Sequence, residues 1–141
     1  MKNKVCILTS VHPPFDVRIF HKEAKSLVKA GYDVTLIAQH DKEEVVDGVK
    51  IVNLQKPRNR IARMTKTASE ISRKALRMDA DIYHFHDPEL MPIGLKLHKR
   101  GKRVIFDIHE DTRQQIILKG YIPSGLRKLL SRAYASYEDY A

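Results

Sequence analysis

Two short apolar runs bracket one amphipathic segment at the start of the chain, and this arrangement restricts the fold more than any other feature. Lys4-Val5-Cys6-Ile7-Leu8-Thr9 is apolar without alternation, as expected of a strand covered on both faces. Ser10 to Phe15 reads as a loop stiffened by Pro13-Pro14, and Asp16 is placed to cap a helix. Phe20, Ala24, Leu27 and Val28 then recur at helical spacing, and Gly31 stands where a helix ends in the left-handed region. Asp33-Val34-Thr35-Leu36-Ile37-Ala38 follows as a second apolar run. Strand, helix and strand at this spacing form a right-handed parallel crossover.

The remaining segments extend the same alternation. Gln39 to Asp47 reads as a polar loop, Asp47-Gly48 as a turn and Val49 to Leu54 as a third strand near the sheet edge. Ile61, Met64, Ala68, Ile71, Ala75 and Met78 predict one apolar stripe on a long helix. Asp81 to His86 is a fourth strand, and Asp87-Pro88 reads as a helix cap followed by proline at the first helical position. Pro92 predicts a helix that starts late or is distorted in its first turn, and Gly101 stops it. Arg103 to Ile108 is a fifth strand, Gly120 to Ser124 a turn, and Leu126, Leu129, Leu130, Ala133 and Tyr137 mark a last amphipathic helix. The fold class is α/β: a doubly wound, mostly parallel, Rossmann-like sheet flanked by helices. In that strand order the first and fourth strands are neighbours, and the gap between them is the topological switch point where ligands bind.

Two polar clusters end strands at this side of the sheet. His84-Phe85-His86-Asp87-Pro88-Glu89-Leu90 follows the fourth strand, and Asp107-Ile108-His109-Glu110-Asp111 the fifth. His84 and His86 share one face because strand side chains alternate, with His86 nearer the ligand end. A histidine there can accept a proton, orient a hydroxyl or donate to an anionic oxygen. His84 is expected to be a hydrogen-bonded supporting residue, and Asp87 mainly a helix cap. The loop from Ser10 to Arg18 lacks Gly-x-Gly-x-x-Gly, which disfavours a dinucleotide in the usual mode. It does carry His12 and Arg18 beside a helix N-terminus, groups suited to an anion, although Arg18 is equally suited to an internal ion pair.

Size and composition bound the alternatives. The chain has 141 residues, enough for one domain with one core. A single cysteine, Cys6, excludes an internal disulfide and reads as a buried, inert thiol. No signal peptide and no run of the ~18 apolar residues needed to span a membrane is legible, so a cytoplasmic location is expected. The net charge of +9 is concentrated in Lys56, Arg58, Arg60, Arg63, Lys66, Arg73, Lys74 and Arg77, opposed there only by Glu70. Such a surface attracts polyanions such as phosphorylated substrates, anionic lipid or nucleic acid, or simply keeps a helix face solvated. Aromatic residues do not interleave with it, which weakens a single-strand nucleic-acid reading.

Three co-linear segments resemble a known family. Asp16-Val17-Arg18-Ile19-Phe20-His21-Lys22-Glu23-Ala24-Lys25-Ser26-Leu27, with Ala30-Gly31-Tyr32-Asp33-Val34 after it, resembles the opening of bacterial retaining glycosyltransferases of family four. His86-Asp87-Pro88-Glu89-Leu90-Met91-Pro92-Ile93-Gly94 and Val104-Ile105-Phe106-Asp107-Ile108-His109-Glu110-Asp111 resemble that family's fourth- and fifth-strand signatures. The resemblance implies half of a two-domain GT-B glycosyltransferase: an N-terminal domain that binds the acceptor, with a second domain holding most of a UDP- or GDP-sugar donor. It implies catalysis without metal and makes His86 the catalytic histidine, with His109, Glu110 and Asp87 lining the acceptor site. His12 and Arg18 are weaker candidates for donor phosphate, because the family's glycines are absent from this loop.

The family's Glu-x7-Glu donor motif does not occur before Ala141. The expectation is therefore a truncated acceptor domain over residues 1–141, inactive alone, binding no cofactor by itself and prone to dimerise through an uncovered edge. The implied partners are a glycan or lipid-linked acceptor, with Arg58, Arg60, Arg63 and Lys66 facing an anionic membrane surface and no specific nucleic acid. Two other classes fit the residues. One is a metal-dependent hydrolase using His84, His86 and Asp87 with Asp107, His109 and Glu110. The other is a non-catalytic basic α/β binding module, which would show strongly salt-dependent binding to nucleic acid.

Overall fold

The computed structural model describes residues 2–107 and, beyond them, Lys128, Arg132, Ala133, Ala135 and Ser136. The chain divides into two compact units, Met1–Asp107 and Ile108–Ala141. In the second unit those five described positions are all helical, as the Leu126 to Tyr137 pattern predicts, and Lys128 and Arg132 are exposed. The Gly120 to Ser124 turn, His109 and Glu110 lie outside the described residues.

The first unit is one six-stranded sheet with helices. Its strands are β1 (Lys4–Leu8), β2 (Asp33–Gln39), β3 (Glu44–Val46), β4 (Val49–Leu54), β5 (Ile82–Phe85) and β6 (Arg103–Phe106). They lie in the order β3-β4-β2-β1-β5-β6. All pairs are parallel except β3 with β4. The chain order reverses at β1, which pairs with β2 on one side and β5 on the other. The expected switch point is therefore present, with Leu8 opposite Ile37 and Phe85.

The helices connect these strands. The segment called α1 here covers residues 17–29, beginning with the π-helical stretch Val17–Ala24 and ending as α-helix Lys25–Lys29. The long helix α2 covers residues 60–78, again with a π-helical stretch, Arg63–Thr67. The helix α3 covers residues 88–98 and opens with a 3-10 turn, Pro88–Leu90, before the α-helical Met91–His98. The distorted first turn is the one that Pro92 predicts.

Burial follows from a sheet covered on both faces. Val5, Ile7, Val34, Leu36, Val49 and Ile51 form one cluster with Ile19, Phe20 and Ala24 of α1. Cys6 and Leu8 alternate to the opposite face and are equally buried. Burial pushes the Cys6 thiol up to about 12, so it is the inert thiol expected. Tyr83 fastens β5 to the end of α2: its hydroxyl donates to the Ala75 carbonyl and accepts from the Ala80 N–H, each at 2.9 Å.

Three expectations need correction. The segment taken as loop between Gln39 and Asp47 contains β3, which pairs antiparallel with β4 through the Asp47-Gly48 turn. Both turn residues have positive φ, 51° and 81°, the conformation that closes a tight hairpin. The apolar stripe on α2 is only half buried. Ile71 and Ala75 face the core, whereas Ile61 and Met64 are exposed, and Thr67 takes the buried line four residues before Ile71. The π-helical turn shifts the phase of the helix, so a regular 3.6-residue count misplaces the first turns. Finally, Asp87 makes no side-chain cap to α3.

Asp16 does cap α1, accepting from the backbone N–H groups of Arg18 at 2.9 Å and Ile19 at 3.0 Å. The Ile19 N–H does most to hold the Asp16 carboxyl below its usual range; burial opposes it, and the Arg18 N–H adds to it. A depressed carboxyl contributes stability above its unfolded pKa and loses it as pH falls through the folded value. Asp16→Ala should therefore cost about 1 kcal/mol at neutral pH, and the gap to the parent protein should close in acid, as read by urea denaturation across pH.

Gly94 is required by packing. A Cβ there would stand 2.6 Å from Cε1 of the Phe85 ring. That ring is itself stacked on Phe106 with centroids 4.8 Å apart. Gly94→Ala should destabilise the unit by about 1–3 kcal/mol through overpacking, measurable as a lower urea midpoint with an unchanged slope.

Candidate functional site

The carboxyl ends of β1, β5 and β6 and the first turns of α1 bring the predicted polar residues to one place. Two groups form there, joined through the strand ends.

The first group surrounds Asp87. Its Oδ2 accepts from the Thr9 hydroxyl at 2.8 Å and from the Ser10 N–H at 2.7 Å. The carboxylate thus links the end of β1 to the residues after β5, across the switch point, instead of capping α3. The Thr9 hydroxyl in turn accepts from the His12 N–H at 3.1 Å, shaping the loop. His12 lies 3.8 Å from both Asp16 and Asp87. The Ser10 hydroxyl donates to Glu89 at 2.9 Å, and Glu89 pairs with Arg63 at 2.9 Å. Arg63 is therefore turned inward onto Glu89, while Arg58, Arg60 and Lys66 are exposed.

The second group surrounds His86. Its side chain has 0% exposure, and its Nε2 stands 3.1 Å from Glu23 Oε2. His84 lies beside it with ring centroids 4.6 Å apart. Asp107 Oδ2 is 3.8 Å from His86 Nδ1 and 3.8 Å from His84 Nε2. Arg18 joins the two carboxylates: its Nε donates to Glu23 Oε1 at 3.1 Å and its Nη2 to Asp107 Oδ2 at 2.8 Å. Desolvation works against the guanidinium charge, but the hydrogen bond to Glu23 and the charge and hydrogen bond of Asp107 outweigh it and raise the Arg18 pKa.

The structure thus gathers His84, His86, Asp107 and Arg18, and sets Asp87 and His12 in the adjoining group. Glu23 is the residue that sequence reasoning missed. It follows Ile19 and Phe20 by four and three positions and immediately precedes Ala24, all of them buried. A carboxylate beside the apolar stripe of a helix that follows the first strand was the available signal.

Glu23, His84, His86 and Asp107 each bring one nitrogen or oxygen within 4.8 Å of the others. Imidazole and carboxylate are donors zinc accepts. This set differs from the one expected for a metal centre, because Glu23 takes the place assigned to Asp87. Arg18 already supplies a cation to both carboxylates. Next to the first group lies an open cavity of about 340 Å³ whose lining includes Gln39, Lys56, Asn59, Arg60 and Arg63. Chemically, the region can hold a histidine ring in fixed orientation and receive an anionic or hydroxyl-bearing ligand beside it.

The comparisons with known proteins bear on this geometry. The family model of Glycosyltransferase Family 4 matches residues 17–141. Among curated proteins, none matches the chain closely enough to count as a relative. Among solved structures, sucrose-phosphate synthase from Thermosynechococcus elongatus superposes with a TM-score of 0.61 at 12% identity, over 94% of this chain and 40% of that one. At that identity the likeness shows the fold, and this chain spans 40% of the synthase's length. The C-terminal domain of a hydrogenase from Pyrococcus furiosus gives a TM-score of 0.48 at 16% identity, over 77% of this chain and 94% of that one, too slight to bear on function.

Proposed function

The chain belongs to glycosyltransferase family 4, and on that premise we propose that it forms the acceptor-binding side of a cleft in which a sugar passes from a nucleotide-sugar to a glycan or lipid-linked acceptor. The observation that carries this reading is the pairing of the β1 and β5 ends through Asp87, with His86 and its carboxylates beside it. Ligands of doubly wound sheets bind at such a switch point. Family membership supports glycosyl transfer as the chemistry over metal-dependent hydrolysis. A UDP- or GDP-sugar is the donor, held mainly by a second domain, and the transfer retains the anomeric configuration. This chain alone then transfers nothing.

In this reading His86 is the group that orients the acceptor hydroxyl. Its ring is enclosed in the structure, so acceptor binding must uncover it. Asp87 fixes the corner that carries it, and the family resemblance adds His109 and Glu110 as acceptor contacts. His12 and Arg18 are the groups closest in kind to a donor-phosphate contact, with Arg18 already engaged by Glu23 and Asp107. The test is a transfer assay on the complete protein with labelled UDP- and GDP-sugars and membrane or glycan extracts. Transfer to an acceptor supports the reading; donor turnover with no glycosylated product from any extract overturns it.

A membrane-facing role fits the exposed basic residues. Arg58, Arg60 and Lys66 surround Ile61 and Met64, which are exposed despite being apolar. Among the described residues no helix is long and apolar enough to cross a membrane, so attachment would be peripheral. Each basic residue near anionic lipid contributes about 1 kcal/mol. Arg58→Glu should therefore weaken flotation with phosphatidylserine vesicles by at least roughly fivefold and leave neutral vesicles unaffected. Equal flotation with both lipids would remove this role.

A further inference from the structure

We propose that the cavity beside the Asp87 corner is a phosphoryl subsite, in which Lys56, Arg60 and Arg63 hold a phosphate or diphosphate group carried by the acceptor. The inference rests on the reading of this side of the cleft as the acceptor's, and it narrows the acceptor from glycans in general to phosphorylated ones.

The cavity opens at the carboxyl ends of β1, β2 and β4, the side of the sheet on which His86 follows β5. Its volume of about 340 Å³ suits a small charged group. Three cations line it, and among the described residues neither a carboxylate nor an aromatic ring does. The missing aromatic surface disfavours stacked bases, and the missing carboxylate favours an anion. Lys56 and Arg60 take part in no ion pair among the described residues, so their charges are unopposed. Arg63 differs: Glu89 Oε1 stands 2.9 Å from its Nε and braces the guanidinium, whose other donors are on the two Nη atoms. A planar guanidinium suits the paired oxygens of a phosphate, and a lysine adds a point charge. Ser10 ties this wall to the Asp87 corner. Its carbonyl accepts from Gln39 Nε2 at 2.6 Å, its N–H donates to Asp87 at 2.7 Å, and its hydroxyl donates to Glu89 at 2.9 Å. A second open cavity, of about 600 Å³, shares Val11, Gln39 and Lys56 with the first and so gives room for the group that carries the phosphate. Asp41 lines that second cavity, which leaves the first as the place for the anion.

The experiment is isothermal titration calorimetry of the 141-residue chain with inorganic pyrophosphate at fixed ionic strength. The parent protein should bind it saturably at one site. Lys56→Gln and Arg60→Gln should each weaken binding by about tenfold or more. Arg58→Gln removes the same charge from the same segment but outside the cavity lining, and should weaken it by about twofold at most. All three side chains are exposed, and unchanged urea midpoints establish that each variant folds. No saturable binding, or equal losses from Arg58→Gln and Arg60→Gln, overturns the proposal, because the attraction is then diffuse surface charge. Lys56→Gln should leave flotation with phosphatidylserine vesicles unchanged; a parallel loss there assigns the cavity to membrane headgroups and overturns the acceptor role. In the complete enzyme Lys56→Gln should raise the acceptor KM by about tenfold. A rise in the donor KM alone makes the cavity a donor contact and likewise overturns it. Pyrophosphate binding is read without donor or turnover, so failure of this site is distinct from failure of the glycosyltransferase assay.

Discussion

Asp87→Ala should lower the unfolding free energy by about 3 kcal/mol. The carboxylate is 5% exposed and accepts two short hydrogen bonds, from the Thr9 hydroxyl and the Ser10 N–H. Bonds to a charged partner contribute about 1.5–3 kcal/mol each, but they are shared within one network and do not add fully. Alanine also leaves the Ser10 N–H without its acceptor, at a cost of its own. Asp87→Asn keeps one acceptor oxygen and should cost about half as much. Urea denaturation measures the difference, with the midpoint moving and the slope unchanged. Amide exchange locates it. Loss of protection at Ser10 with α3 unaffected identifies the strand-to-strand link; loss confined to the first turn of α3 would identify a cap and contradict the geometry.

The same carboxylate shows what could and could not be read from the chain. Asp before Pro is a good helix cap by local chemistry, and local chemistry is all that a short motif displays. The partner that takes Asp87 instead is Ser10, 77 residues away, and no local rule anticipates a bond across a switch point. The Asp16 cap was legible because its partners are two and three residues on. Gly31 and Gly101 were legible for the same reason: each has positive φ at the end of its helix. The β1 to β5 neighbourhood was legible because a Rossmann-like strand order sets the first and fourth predicted strands side by side. By contrast, β3 is three residues long and carries Glu44, so neither length nor apolar content sets it apart from loop. The exposed Ile61 and Met64 escaped because hydrophobic period predicts a face only while the helix keeps 3.6 residues per turn.

The candidate site divides along the same line. His84, His86 and Asp107 announced themselves as histidines and a carboxylate at strand ends, where parallel sheets place ligands. Glu23 belongs to a helix that was read for its apolar stripe, and Arg18 was weighed as an anion contact. Only the packing of α1 on the sheet turns both toward the histidines. Arg18 then links two carboxylates that would otherwise repel each other beside the imidazoles. Its ion pairs are only partly buried, so their worth lies more in geometry than in stability.

His86→Ala should reduce transfer by the complete enzyme by roughly 10²-fold or more, the usual scale for losing a group that handles a proton in the transition state. His86 is the first residue beyond β5, at the carboxyl end of the strand beside the switch point, and its ring is held between Glu23 and Asp107. Fixing an enclosed imidazole this way costs ordering entropy, and orientation at a reacting hydroxyl is where such ordering returns a rate advantage. His84→Ala should cost transfer less, because His84 is the supporting ring, although both changes remove a ring from the same pair. The two are separated by kinetics. A fall in kcat with acceptor KM little changed marks an interaction made in the transition state; a rise in KM alone marks uniform binding. Equal losses in the two variants, with equal losses in urea stability, would reduce His86 to a packing residue and move the acceptor-facing role elsewhere in the cleft.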